Sequence, residues 1–251
     1  MKLGGSVLTD KAQYRTPRLD VLARLASEVA GCGDRVVVVH GAGSYGHVLA
    51  KAHDLAAGER GPESLLAASQ VHGDVRELQG LVLTALRDAG LPAISLSTYD
   101  LARLTSGAIS GFAFEPVHET LSRGFTPVMS GDVVLDHARG FGILSGDVLM
   151  VELARLLRPT RAVFVTDVDG IHDRDPHESG ARLLARIDLA ADVRASESRV
   201  PDITGSMAGK LMRARDVARA GVPVHVVNGL AHGRLSDTLA GKDVVGTVVT
   251  A

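Results

Sequence analysis

Arg35-Val-Val-Val-Val-His40-Gly-Ala-Gly-Ser-Tyr-Gly-His47 is the stretch on which the fold turns. Four consecutive valines with no polar alternation fit a strand buried on both faces, as in a parallel sheet with helices on each side. The run breaks into three glycines and is followed by a helical pattern. A strand that ends in glycines before a helix is where open α/β sheets bind their ligands. Working outward, Leu65–Leu86 carries apolar residues at helical spacing and stops at Gly90-Leu-Pro92. Leu91–Leu96, Thr126–Ser130, Arg161–Thr166, Val224–Val227 and Gly246–Thr250 read as strands. Gly146–Leu157 and Met207–Ala220 read as helices. Asp132–Asp136 and Gly140–Leu144 flank a polar turn and predict a hairpin. Thr105–Gly111 and Asp173–Gly180 read as polar loops. Strands alternating with helices predict an α/β fold with a mostly parallel central sheet.

Composition narrows the function. The 251 residues carry 27 Lys plus Arg and 29 Asp plus Glu, a net charge of −2. That balance argues against a nucleic-acid or anionic-membrane partner. Aromatic residues are 3% of the chain, too few for base-stacking platforms. The single cysteine, Cys32, forms no internal disulfide or thiolate cluster and is read as inert. No run of about 18 apolar residues is present. No charged-then-apolar leader pattern opens the sequence, so the expected compartment is the cytoplasm.

Five segments gather glycine, lysine or acid at strand ends or helix starts. They are Lys2-Leu-Gly-Gly-Ser6, His40-Gly-Ala-Gly-Ser-Tyr-Gly-His47, Leu144-Ser-Gly-Asp147, Thr166-Asp-Val-Asp-Gly170 and Thr204-Gly-Ser-Met-Ala-Gly-Lys210. Glycines admit backbone N–H groups to an anion, and helix N-termini favour negative charge. With Lys2 and Lys210 beside them, these segments suit a polyphosphate. Gly41-x-Gly43-x-x-Gly46 also matches the dinucleotide fingerprint, but that needs an acid at the next strand's end about 20 residues on. Glu59 and Glu63 stand near that distance without a strand before them. Asp167 and Asp169 resemble a metal pair, and His172, Asp173, Asp175 and His177 crowd one loop. Their spacing matches no standard metal site, and no dedicated metal ligand is expected.

Lys2-Leu-Gly-Gly-Ser-Val-Leu-Thr-Asp-Lys11 resembles the opening of the amino acid kinase superfamily. The His40–His47 loop followed by Ala50-Lys51 resembles the isopentenyl phosphate kinases within it, which close this loop with a histidine. Gly131-Asp132, Ser145-Gly-Asp147, the Thr166–Gly170 segment and Asp202–Lys210 follow in that family's order. The resemblance implies a three-layer αβα sandwich over residues 1–251, a single domain that is usually a homodimer. The N-terminal half would bind the acceptor and the C-terminal half ATP. The implied reaction is ATP-dependent phosphorylation of isopentenyl phosphate, an alkyl monophosphate, to isopentenyl diphosphate in isoprenoid biosynthesis.

Residue roles carry over by the same resemblance. Lys2 would neutralise charge on the transferring phosphate, and Gly4, Gly5 and Ser6 would donate N–H groups to it. Lys11 would stand near the phosphates. Gly41, Ala42, Gly43, Gly46 and Gly146 would line the acceptor phosphate. His47 would hydrogen-bond that phosphate without acting as a base, since a phosphate monoester is already ionised near pH 7. Asp167 and Asp169 would serve the nucleotide's ribose and base. Gly205, Ser206 and Lys210 would meet its phosphates. Asp147 would be a counter-charge to a lysine, and His40 structural. Mg²⁺ is implied by ATP, which usually holds it through phosphates and water. A fosfomycin-type phosphonate kinase is the nearest alternative acceptor reading. A non-catalytic nucleotide-binding protein is the alternative of another class.

Overall fold

A computed structural model describes residues 1–176, 178–189 and 206–251 of the chain. The chain divides into two compact units: Leu3–Leu149, and Met150–Ala251 together with Met1–Lys2.

In chain order the first unit runs β1 (Lys2–Leu3, shared with the second unit), α1 (Gly5–Leu8), α2 (Leu19–Ala30), β2 (Val38–His40), α3 (His47–Ala52) and α4 (Pro62–Asp88). It continues with β3 (Ala93–Ser95), α5 (Thr98–Leu101), β4 (Ala102–Thr105), β5 (Ala108–Phe112), α6 (Glu115–Ser122), β6 (Thr126–Ser130), β7 (Asp132–Asp136) and β8 (Gly140–Leu144). Helix α7 (Gly146–Leu157) follows. Strand β6 pairs parallel to β2 on one side and to β3 on the other. Leu3 lies beside β2, its carbonyl accepting from Gly41 N at 2.9 Å.

The long helix α4 begins with Gly61-Pro62; proline suits the first helical position because its missing N–H would find no partner there. Val71, Val75, Leu78, Val82 and Leu86 recur every three or four residues and are essentially buried. Each buried aliphatic side chain contributes about 1.5–3 kcal/mol. Gln79 sits on the same face, and its amide is satisfied there. It donates to Ser95 Oγ and Val128 O at 2.8 and 2.9 Å and accepts from Ser130 Oγ at 3.3 Å. A buried amide so satisfied fixes the helix against β3 and β6 without a desolvation penalty.

Two expectations change. The Arg35–His40 stretch is strand only from Val38, its first three residues lying outside the ladder. The stretch Thr105–Gly111, expected as a loop, is a hairpin: β4 and β5 pair antiparallel about a turn at Ser106 and Gly107. Ser106 and Gly107 take left-handed φ of 53° and 84°, which a tight hairpin turn requires. Strands β4 and β5 join the expected β7–β8 hairpin in a separate sheet, order β5-β4-β7-β8. Asp136, 3% exposed, ties its two turns together. Its carboxylate accepts from Ser106 N, Gly107 N, Ala138 N and Arg139 N at 2.7–3.1 Å.

The second unit holds β9 (Ala162–Thr166), β10 (Arg186–Asp188), α8 (Ser206–Arg219), β11 (Val224–Asn228), α9 (Arg234–Leu239) and β12 (Gly246–Thr250). The strand order is β10-β12-β11-β9. Among the described residues β11 and β12 pair antiparallel, while β9–β11 and β10–β12 are parallel. No helix among the described residues is long and apolar enough to cross a membrane.

Candidate active site

The two glycine loops of the first unit meet backbone to backbone. A methyl group on Gly5 would lie 2.4 Å from Gly43 N and 2.5 Å from Gly43 Cα. One on Gly41 would lie 2.7 Å from Gly5 N. No side chain fits between the loops, so glycine is required on steric grounds at both. Gly43 also holds φ at +52°, a conformation glycine adopts without strain. Gly4, Gly5, Gly41 and Gly43 therefore come together, Ala42 lies between the last two in the chain, and Ser6 is buried in the first turn of α1. One side chain bridges the loops. Thr9, wholly buried, donates from Oγ1 to Gly5 O at 2.8 Å and accepts there from Ser44 N at 2.9 Å.

The segment after Thr9 carries Lys11, which is exposed. It is tethered at several points. Thr16 N donates to Ser44 Oγ at 3.2 Å, and the Tyr14 hydroxyl donates to Asp74 on α4. Burial, then the Asp74 bond, pushes the Tyr14 phenol above its ordinary range. Arg15 lies about 6 Å from the Tyr14 and Tyr45 rings and 3.5 Å from Asp74.

His47 is the first residue of α3 and is exposed. It opens that helix directly after the last glycine of the loop, Gly46. Gly46 presses on Ala42 and α4; a methyl group there would lie 2.5 Å from Ala42 Cβ and 3.5 and 3.8 Å from Val75 and Val71. Gly131 backs onto the start of α7: a methyl group on it would lie 2.7 Å from Gly146 N. His40, at the end of β2, is fully buried, and its Nδ1 is 3.1 Å from Gly41 O. Burial lowers its pKa to about 4, so the imidazole is neutral at pH 7 and braces the loop rather than carrying charge.

Asp132, directly after Gly131, is 3% exposed and accepts from His72 of α4, Nδ1 to Oδ2 at 2.9 Å. Its Oδ1 accepts from Val133 N at 2.7 Å. The Asp132 bond raises the His72 pKa, while burial pushes the Asp132 carboxyl up against the pull of that imidazole. The sequence marked Asp132 as part of a motif. It gave no sign of His72, because the two stand 60 residues apart.

In the second unit Lys2 is buried, at 7% exposure. Asp167 and Asp169 follow β9. The Thr166 hydroxyl bonds Asp167 Oδ1 at 3.2 Å. Asp169 accepts from Asn228 Nδ2 at 3.1 Å and from Arg234, bonds that hold its carboxyl below the usual range. Asp169 thus joins β9, β11 and α9, a bracing part that its sequence position did not announce. Ser206 opens α8 and Lys210 lies one turn in; Gly205 and His177 lie outside the described residues. Among the described residues no three His, Cys, Asp or Glu side chains group as metal ligands would.

The dinucleotide reading fails on topology. After the His40–His47 loop the chain makes the six-residue α3, a short 3-10 turn at Leu55–Ala57 and then α4, and the next strand begins at Ala93. No strand end carries an acid near 20 residues downstream of the loop, as a ribose-binding carboxylate requires.

The sequence profile of the amino acid kinase family matches residues 1–228. The chain is 35% identical over 254 residues to the isopentenyl phosphate kinase of Thermoplasma acidophilum, covering 99% of this chain and 98% of that one. It is 34% identical over 261 residues to the isopentenyl phosphate kinase of Methanothermobacter thermautotrophicus, covering 100% and 98%. A crystal structure of an isopentenyl phosphate kinase superposes with a TM-score of 0.86 at 32% identity, covering 98% of each chain.

Proposed function

Since the chain belongs to the amino acid kinase family and groups there with isopentenyl phosphate kinases, we propose that it transfers the γ-phosphoryl group of ATP to isopentenyl phosphate. An oxygen of the acceptor's phosphate attacks the γ-phosphorus. The bond to the bridging oxygen breaks, and ADP leaves with that electron pair. The products are isopentenyl diphosphate and ADP. Such a transfer asks the protein for position and charge neutralisation rather than covalent chemistry.

The supporting observation is the closed pair of glycine loops at Gly5 and Gly41–Gly43 with His47 at their exit. In this reading the Leu3–Leu149 unit binds the acceptor. Gly41, Ala42, Gly43, Gly46 and Gly146 present backbone to its phosphate, and His47 donates a hydrogen bond. A carboxylate acceptor would not need that imidazole. Lys2 and Lys11, with Gly4, Gly5 and Ser6, attend the transferring group. The second unit binds ATP. Lys210 meets the nucleotide's phosphates with Gly205 and Ser206, and Asp167 serves the ribose and base. Asp169 acts there through its bonds to Asn228 and Arg234. Mg²⁺ fits as a companion of the nucleotide, held by phosphate oxygens and water. The working form in this proposal is a cytoplasmic homodimer.

The test is an ADP-release assay with Mg-ATP against isopentenyl phosphate, dimethylallyl phosphate, geranyl phosphate, fosfomycin, N-acetylglutamate and uridylate. The expected result is turnover highest with isopentenyl phosphate. Turnover with fosfomycin alone would keep the chemistry and replace the acceptor.

A further inference from the structure

We propose that His72, oriented by Asp132, is a second imidazole donor to the acceptor's phosphate, its Nε2–H facing the anion that Gly46 and Gly146 border. This rests on the acceptor reading above.

Val71 and Val75 pack on Gly46, as the 3.8 and 3.5 Å approaches show. His72 lies next to Val71 and one turn before Val75, so it leaves α4 beside that contact. Its bonded partner is Asp132. Asp132 follows Gly131, which backs onto Gly146 N. One imidazole thus bridges the helix that supports Gly46 and the strand that supports Gly146.

Its orientation is fixed from two sides. Nδ1 is bound to Asp132 at 2.9 Å, and the Tyr99 ring lies 5.4 Å away at 51°. A carboxylate on Nδ1 holds the proton there and leaves Nε2 as the other polar edge. The His72 side chain is 35% exposed and that of Asp132 1%, so the imidazole rather than the carboxylate is reachable by a ligand. A carboxylate–imidazole pair with the acid buried and one imidazole edge open is built to present a positive N–H to an anion. The charged groups around it are Asp132 on β7, Asp100 on α5 and Arg76 on its own helix. The two acids favour the imidazolium and Arg76 opposes it. The Asp132 bond outweighs the rest, and the pKa stands above the ordinary 6.5. A second imidazole donor would add a side-chain hydrogen bond to the phosphate beside that of His47.

Steady-state kinetics with isopentenyl phosphate and Mg-ATP test this, on wild type, His72→Ala, His72→Gln and Asp132→Asn, with melting temperature checked for each. His72→Ala is expected to raise KM for isopentenyl phosphate about ten- to hundredfold, the size of a hydrogen bond to a charged group, with KM for ATP unchanged. His72→Gln, which restores an N–H near the Nε2 position, is expected to recover part of that loss. The pH profile of kcat/KM for the acceptor is expected to fall on its alkaline side as His72 deprotonates. That fall is absent in His72→Ala and moves to lower pH in Asp132→Asn. An unchanged acceptor KM and pH profile in a folded His72→Ala protein would show a structural pair and overturn the proposal. A wild-type protein that neither turns over nor, by calorimetry, binds isopentenyl phosphate would overturn the acceptor reading itself, and this proposal with it.

Discussion

Thr9→Val removes one hydroxyl and almost nothing else, and the structure sets its cost. Thr9 Oγ1 makes two bonds, to Gly5 O and from Ser44 N. The loss is unequal. Gly5 O keeps a second donor in Thr9 N at 2.9 Å. Ser44 N, in a residue 1% exposed, loses its acceptor. A buried donor left unsatisfied costs about 1–3 kcal/mol. At about 2–4 °C per kcal/mol for a chain of this size, a loss near 2 kcal/mol lowers Tm by about 4–8 °C. The functional effect comes from the same bond. Thr9 pins Ser44 against Gly5, so without it the glycine loops separate and KM for the acceptor phosphate rises. Thermal melting and steady-state kinetics read both effects. Thr9→Ser keeps the hydroxyl and is expected to retain wild-type KM. If Thr9→Val matched wild type in both Tm and acceptor KM, the bridge would hold nothing and the account of the loop pair would be wrong.

His47→Ala is expected to stay folded, since the side chain is exposed, and to lose most turnover; wild-type activity in that variant would remove its proposed role. Lys210→Ala is expected to raise KM for ATP or lower kcat, and an unchanged nucleotide response would take Lys210 out of the phosphate site. His40 titrates near pH 4 when folded and near 6.5 when not. The unfolded chain therefore binds the proton first, and stability is full above about pH 6.5 and is lost as pH falls towards 4, at about 1.4 kcal/mol per pH unit. His40→Asn is expected to flatten that part of the Tm–pH curve, and an equally steep curve in the variant would place the titration elsewhere.

Much of the site was legible because its parts are local in sequence. The strand ending in Gly41-x-Gly43, the helix opening at Gly146 and the strand Thr126–Ser130 each announce themselves within a few residues. The resemblance to a known family supplied their roles; spacing alone leaves a dinucleotide site open, and it closes because no strand lies between the His40–His47 loop and Ala93. What stayed hidden joins distant residues. Thr9 meets Ser44 across 35 positions, and Tyr14 and His72 each find a partner 60 positions away, and no periodicity encodes such pairs. The β4–β5 hairpin was missed for another reason. Thr105–Gly111 is polar and glycine-bearing, so its composition reads as loop. Pairing at the edge of a sheet, with β5 largely half-buried, asks for no apolar run.

Asp136 has a consequence for how this protein can change over generations. One carboxylate measures the position of both hairpin turns, receiving two backbone N–H groups from each. An inserted residue in either turn would withdraw its donors and leave a sealed anion with half its partners. The two turns are therefore joined in inheritance: neither can lengthen unless Asp136 is given up first, and with it the alignment of β4 on β7. New loops on this sheet have to be grown somewhere other than at these two turns.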